Sequence, residues 1–179
     1  MNQIQRNKIY LMIGTGGLIS LAFFLTIPLI GLYAIDQFRV STSQAGLLSS
    51  IWPATVFVCS FFVGRVADRW GYFKSMKLGN VICTVAFALM ASTSSISVYI
   101  ATLILFGIGK SLNESSMRAA IASMSPPDEL ARFMRLRYVL INIVCVGGPF
   151  LGFVSYKAFS SWAFAFSGLL YGLVFMILS

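Results

Sequence analysis

The residues best suited to chemistry lie in the middle of an apolar stretch, where charged side chains are rare. Lys110 and Glu114 are four residues apart within segment 98–122, so on a helix they share a face and can form an ion pair. A charge near the centre of a bilayer costs about 2.5–3.5 kcal/mol on insertion scales, and it usually faces a partner or a water-filled cavity. We therefore predict Glu114 as a proton-carrying carboxylate and Lys110 as its partner or a substrate contact. The alternative is an ion pair that only orders the end of the helix.

Asp36 is a second acidic candidate, because it follows the first long apolar run of the chain. It could admit protons at a membrane surface, or it could simply be an interfacial residue before a polar loop. Asp68 belongs to a separate spaced motif between the second and third apolar runs. The remaining acids, Asp128 and Glu129, are expected in a solvated turn.

The residue types also exclude several kinds of site. The chain has no His, which excludes His-based catalysis and zinc ligation by imidazole. Cys59, Cys83 and Cys145 lie inside apolar runs, where we expect small core residues and not metal ligands or disulfides. No nucleophile–base pair and no phosphate-binding loop is recognisable, so we expect neither an enzyme nor a bound cofactor or metal.

Apolar segments must position these residues, and they fill the chain. Of 179 residues, 58% are apolar and 10% are charged, whereas soluble domains have about 25% charged residues. A membrane-spanning helix needs about 20 mostly apolar residues. The predicted fold class is therefore an all-α integral membrane protein with six transmembrane helices, at 9–35, 45–63, 78–97, 98–122, 138–156 and 162–178.

The basic residues indicate the orientation of these segments. Thirteen Lys and Arg against five Asp and Glu give a net charge of +8. If successive segments alternate in direction, ten basic residues fall on one side of the membrane: Arg6, Lys8, Arg65, Arg69, Lys74, Lys77, Arg118, Arg132, Arg135 and Arg137. The positive-inside rule then predicts a cytoplasmic N-terminus. Because these residues form short clusters and not one stripe, we expect no nucleic-acid partner.

The segment between the second and third apolar runs carries a spaced motif, Gly64, Asp68, Arg69, Gly71 and Lys74. Two glycines allow a tight turn, and the acid can pair with loop cations or cap a helix. The motif resembles the hallmark loop of the major facilitator superfamily. That resemblance implies that Asp68 latches the cytoplasmic side against a helix of a second half-protein. The alternative is a basic membrane-anchoring loop with a chance acid.

A second motif lies in the fifth apolar segment, where Gly148 and Pro149 are followed by Gly152. Proline removes a helical donor and kinks a helix, and the two glycines form a close-packing face. The element resembles the antiporter motif of the drug:proton branch of that superfamily. Ordinary packing by small residues is the alternative, since Gly168 and Gly172 could pack in the same way.

The resemblance implies the N-terminal six-helix half of a twelve-helix transporter, built as two three-helix inverted repeats. The chain ends at 176–179 without a basic anchor, so we expect a fragment whose C-terminal half is missing. The implied function is proton-coupled efflux of small amphipathic compounds by alternating access in the bacterial inner membrane. Partners would be a small-molecule substrate, the proton as coupling ion and the bilayer, with Phe23, Phe24, Tyr33 and Met117 suited to apolar substrates. An uptake symporter of the same fold and a non-transporting membrane scaffold that dimerises remain alternatives.

Overall fold

The computed structural model describes residues 2–178, which form six α-helices and one 3-10 turn and contain no strand. The predicted all-helical class is confirmed. Residues 1 and 179, the end points of the predicted bundle 1–179, lie outside the described residues. The helices are α1 (Gln3–Phe38), α2 (Thr42–Trp70), α3 (Tyr72–Ser92), α4 (Ile96–Met124), α5 (Pro127–Phe159) and α6 (Ala163–Ile177), with the 3-10 turn at Ser160–Trp162 between α5 and α6.

Helices α1, α2, α4 and α5 extend beyond the predicted apolar runs at both ends, and a side-chain cap begins α2. At the start of α2 the Ser41 hydroxyl accepts from the Gln44 backbone N–H (3.2 Å) and the Gln44 side chain accepts from the Ser41 backbone N–H (2.9 Å), a capping box. Helix α3 ends at Ser92, so the helix does not continue to the end of the predicted third segment, 78–97. There the Thr93 hydroxyl accepts from the Ser95 backbone N–H (3.2 Å), a local bond that favours a turn over helix.

Length and composition mark a multi-pass membrane protein. Within residues 2–178 five helical segments are long and apolar enough to cross a bilayer: α1, α2, α3, α4 and the stretch Pro127–Ile177, which contains α5, the turn and α6. Large apolar side chains also lie exposed on helix surfaces, as Phe57, Phe61 and Phe62 do on α2. Such surfaces are stable against lipid but not against water.

Helices α1 and α5 run side by side in the same direction. The Tyr10 and Phe133 rings meet edge to face, with centroids 5.7 Å apart, near the starts of the two helices. Near their ends, the Tyr156 hydroxyl donates to the Asp36 carboxylate (3.0 Å). This parallel pair fixes which residues of α5 face α1.

Helices α3 and α4 form an antiparallel pair with polar groups at its centre. A Cβ on Gly79 would lie only 2.7 Å from the Gly109 carbonyl oxygen, so the two backbones approach closely. Beside this contact the Asn113 amide donates to the Asn80 side-chain oxygen (2.6 Å), and both residues are buried. The pair holds α4, which carries the charged residues, in a fixed rotation.

An aromatic cluster fills one end of the bundle. The Tyr33 ring contacts Tyr99 and Phe164, with centroids 5.4 Å and 5.3 Å away. Both tyrosine hydroxyls donate to backbone carbonyls, Tyr33 to Thr93 (2.6 Å) and Tyr99 to Ile30 (2.8 Å). The bundle interior is therefore closed by side chains at this end.

Candidate functional site

A cavity of about 320 Å³ lies inside the bundle, and five helices contribute to its wall. Three charged residues line it, Lys110 and Glu114 from α4 and Arg137 from α5. The other lining residues are Gly16, Ile19, Ser20, Phe23, Phe24, Trp52, Val56, Asn113, Met117, Ile141 and Tyr171. The cavity thus combines a small charged group with a mostly apolar and aromatic surface, which is typical of small-molecule sites.

The ion pair that the spacing on α4 predicts is present. The Lys110 ammonium lies 3.1 Å from a Glu114 carboxylate oxygen, and the two side chains are 13% and 35% exposed. The same ammonium lies 3.8 Å from the centre of the Phe23 ring of α1, a cation–π contact. Lys110 is therefore held between a carboxylate and an aromatic face, whereas its predicted role in coupling remains a prediction.

Glu114 has a second basic neighbour one turn further along α4. An Arg118 guanidinium nitrogen lies 3.8 Å from the other Glu114 carboxylate oxygen, with 55% of the arginine side chain exposed. The carboxylate therefore lies between two cations of its own helix. Because the outer cation is well exposed, water screens this second contact more strongly than the first.

Arg137 is a charged residue of the cavity that the sequence did not single out. The charge pattern grouped it with the basic residues on one side of the membrane, and the structure shows that it lines the cavity. Its Nε is buried and has no hydrogen-bond partner in the part of the chain that the structure describes. No carboxylate of those residues lies within ion-pair distance of it. Eleven residues separate Arg137 from Gly148, which puts both on one face of a helix, and this spacing could have revealed its direction.

Aromatic side chains form the apolar wall of the cavity. The Phe23 ring contacts Phe24 and Trp52 edge to face, with centroids 5.1 Å and 5.2 Å away. Phe23, Phe24 and Met117, which the sequence marked as suited to apolar substrates, all line the cavity. Tyr33 does not, because it belongs to the aromatic cluster at the closed end.

Asp36 lies apart from the cavity, exposed near the C-terminal end of α1. Its contact with Tyr156 joins α1 to α5 at that end. The structure therefore brings together two of the three predicted proton or substrate residues and leaves Asp36 elsewhere.

The hallmark motif is mostly helical. Gly64, Asp68 and Arg69 lie in the last turns of α2, and Gly71 alone forms the turn, with φ at +86°. The expectation that both glycines make a turn is therefore wrong for Gly64. Asp68 is exposed, makes no ion pair or side-chain hydrogen bond within residues 2–178, and does not cap α3. Lys74 is also exposed, in the first turn of α3.

The glycines of the second motif pack against α1. A Cβ on Gly148 would lie 2.5 Å from the Phe24 Cβ, and one on Gly152 would overlap the Leu25 carbonyl oxygen. Of the two alternative packing glycines, Gly168 lies close to α3, where a Cβ would be 3.2 Å from the Phe87 Cβ, whereas a Cβ on Gly172 would meet nothing closer than 3.8 Å. Helix α5 continues through Pro149. The two glycines therefore set the separation of α1 and α5, which also brings Arg137 towards the cavity.

The amino-acid sequence matches a known protein family. The sequence model of the Major Facilitator Superfamily matches residues 12–179. The chain belongs to the major facilitator superfamily. Its similarity to that superfamily, expected from the hallmark motif, is confirmed.

Two curated members of the superfamily illustrate the similarity. The chain is 29% identical over 160 residues to YqjV of Bacillus subtilis, described as an uncharacterized MFS-type transporter, covering 89% of this chain and 39% of that protein. It is 27% identical over 135 residues to the multidrug resistance protein MdtH of Yersinia enterocolitica, covering 75% of this chain and 34% of that protein. The chain thus spans well under half the length of these superfamily members.

Solved structures of the superfamily share the fold at low identity. The human organic anion transporter MFSD10 (TETRAN) has a TM-score of 0.82 at 19% identity, over 99% of this chain and 47% of that one. A peptide transporter POT in complex with sulfate has a TM-score of 0.86 at 14% identity, over 95% and 36%. At these identities the comparison establishes the helical arrangement alone.

Proposed function

We propose that this chain is part of a proton-coupled secondary transporter that moves small amphipathic compounds through the cavity by alternating access. The observation that carries the proposal is the Lys110–Glu114 ion pair, held in a mostly apolar cavity beside the Phe23 ring. Efflux is the proposed direction, supported by the multidrug relative and by the resemblance of the Gly148–Pro149–Gly152 element to the antiporter motif.

The proposed coupling is an exchange of partners at Glu114. Protonation removes the carboxylate charge and releases Lys110 from its ion pair, so cavity cations become available to other groups. Deprotonation restores the pair. Proton and substrate then act on the same few groups. Binding of the proton therefore changes the affinity for the substrate by the same factor as binding of the substrate changes the affinity for the proton.

The proposed architecture is six membrane crossings arranged as two inverted three-helix repeats. In such repeats, each helix of the first three corresponds to one of the second three, in the order α1 to α4, α2 to α5 and α3 to α6. The α1–α5 contact then corresponds to the α4–α2 contact, and both helix pairs pack extensively. Each domain of such a transporter would comprise one six-helix bundle, here 1–179, with a second bundle opposite. The share of the relatives' length that this chain covers supports a second, C-terminal bundle. The basic clusters support a bacterial inner-membrane location with a cytoplasmic N-terminus.

The test uses full-length protein in energised membrane vesicles. Glu114→Gln should abolish proton-driven substrate accumulation, because a neutral amide cannot exchange a proton, while facilitated equilibration down a substrate gradient persists. Asp128→Asn, an exposed residue in the first turn of α5, is the matched control and should retain coupling. Full proton coupling in the Glu114→Gln variant would refute the assignment of Glu114 as the proton carrier. Absence of any transport by the unchanged protein would favour the non-transporting scaffold.

Uptake by symport is a second candidate, favoured by the charge of the cavity. Two cations and one carboxylate line it, so protonation of Glu114 leaves positive charge for an anionic substrate. Proton and anion would then bind together and move in the same direction. Accumulation in vesicles with an acidic exterior would indicate uptake, and accumulation with an acidic interior would indicate efflux by proton exchange.

A further inference from the structure

We propose that the cavity selects amphipathic organic anions, with Arg137 and Lys110 binding the acidic group and the aromatic wall binding the apolar body. The inference rests on the proposed function only in that it takes this cavity as the substrate site. Because protonation of Glu114 frees Lys110 for an anion, it agrees with the symport candidate and not with efflux by proton exchange. It adds the chemical class of the substrate, a carboxylate or sulfonate on an apolar or aromatic body.

Cations outnumber carboxylates in the cavity wall. Lys110 and Arg137 line the cavity with one carboxylate, Glu114, and Arg118 adds a further cation beside that carboxylate. The cluster therefore has more positive than negative charge within the described residues. Positive charge in a low-dielectric site is costly unless a counter-charge is present, and an anionic ligand would supply it.

Arg137 has no ion-pair partner within residues 2–178. Its Nε is buried without a hydrogen-bond partner, and no carboxylate of residues 2–178 lies within 4.0 Å of its guanidinium. Buried donors normally have partners. The planar guanidinium offers parallel donors that match the oxygens of a carboxylate or sulfonate, so the cavity contains a free anion-binding group.

An apolar wall lies beside these cations. Phe23, Phe24 and Trp52 form a contiguous aromatic surface, and Val56 and Ile141 extend it. A volume of about 320 Å³ is within the range of small-ligand pockets. A ligand with an aromatic body and one acidic group would contact both parts of the cavity.

A cationic substrate would find fewer contacts. Glu114 is its only possible counter-charge in the cavity wall, and this carboxylate already has Lys110 and Arg118 as partners. The face of Phe23, which could attract a cation, already lies beside the Lys110 ammonium. The cavity therefore disfavours cations for two reasons. Its own cations repel them, and the groups that could attract them, Glu114 and the Phe23 ring, already contact Lys110.

The sign of one substitution separates the two classes of substrate. If the site binds anions, Glu114→Gln should strengthen binding, because it removes a carboxylate that competes for Lys110. If the site binds cations, the same change should weaken binding, because it removes their counter-charge.

The experiment is equilibrium dialysis of the full-length protein in phosphatidylcholine nanodiscs, with empty nanodiscs as the blank. Three probes share one aromatic body: naphthalene-2-sulfonate, 2-naphthylmethylammonium and neutral 2-naphthalenemethanol. We expect the sulfonate to bind about tenfold or more tightly than the ammonium, and Arg137→Gln to weaken sulfonate binding about tenfold. The neutral probe should bind the Arg137→Gln and unchanged proteins equally.

The matched control is Lys157→Gln, which removes an exposed cation that lies over the Phe153 ring near the end of α5. It should leave sulfonate binding unchanged. The proposal is overturned if the sulfonate does not bind above the blank, if the ammonium binds as tightly, or if Arg137→Gln has no effect. Because no proton gradient is present, these outcomes are independent of proton-driven transport, which tests the proposed function separately.

Discussion

At the scale of single residues, the buried Asn80–Asn113 pair offers a direct test of what holds α4 in place. Asn80→Ala should destabilise the protein by about 1–2 kcal/mol, because Asn113 loses its 2.6 Å acceptor inside the bundle. Unfolding of the full-length protein in mixed micelles would measure the change. Asn142→Ala is the control, since that exposed amide donates only to Tyr138 of its own helix, and equal losses in both variants would contradict the prediction.

The charged pair in the cavity could be predicted from sequence, whereas its third charged neighbour could not. Lys110 and Glu114 meet because helix geometry alone brings residues four apart together. Arg137 reaches the cavity only because α5 packs against α1 at Gly148 and Gly152. That contact depends on the pairing of distant helices, which a hydropathy pattern does not specify.

The cysteines also show that a hydropathy pattern does not specify which residues are buried. Cys83 is buried between α3 and α4, as expected, but Cys145 is exposed on α5. An apolar run identifies a helix in a membrane, yet lipid-facing and core-facing positions have similar composition there. Burial of a particular residue therefore follows from packing and not from hydropathy.

At the scale of helices, the α1–α5 contact should depend on the two small residues in it. Gly152→Ala should destabilise the bundle by about 1–3 kcal/mol, because the added Cβ overlaps the Leu25 backbone carbonyl, which cannot move as a side chain can. Thermal unfolding in detergent would measure this effect, and sulfonate binding should weaken as Arg137 shifts.

Gly147 provides the matched control for this substitution. It lies in the same helix, and a Cβ there would meet nothing within 4 Å. Gly147→Ala should leave stability unchanged or raise it slightly, since alanine is the better helix former by about 1 kcal/mol. Equal melting temperatures for both variants would show that α5 does not pack on α1 through Gly152.

Helix ends were predictable where a side-chain signal marks them. Ser41 and Gln44 begin α2 through the capping box that their spacing indicates. By contrast, α2 continues through Asp68 to Trp70, although the sequence suggested a loop from Gly64. The polar residues there lie on exposed helix turns, so the apolar run of the sequence ends before the helix does.

At the scale of the whole molecule, Asp68 is a residue whose proposed partner lies beyond this bundle. It is exposed in the last turns of α2 and has no ion pair within residues 2–178. The neighbouring α2 surface is also rich in exposed apolar side chains, among them Phe61 and Phe62. Both features suit a contact with a second six-helix bundle, where the acid would stabilise one of the two alternating states.

Asp68→Asn should therefore slow transport without destabilising the bundle that carries it. The amide keeps the shape of the side chain but removes its charge, so the state stabilised by the latch loses population, and we expect about a tenfold lower transport rate. Proteoliposomes containing the full-length protein would measure the rate, and thermal unfolding would verify that the fold is unchanged. Asp128→Asn removes an equally exposed acid from the start of α5 and should transport normally. Transport at the full rate by Asp68→Asn would mean that the acid does not act between the two halves, and that the motif serves the turn at Gly71 alone.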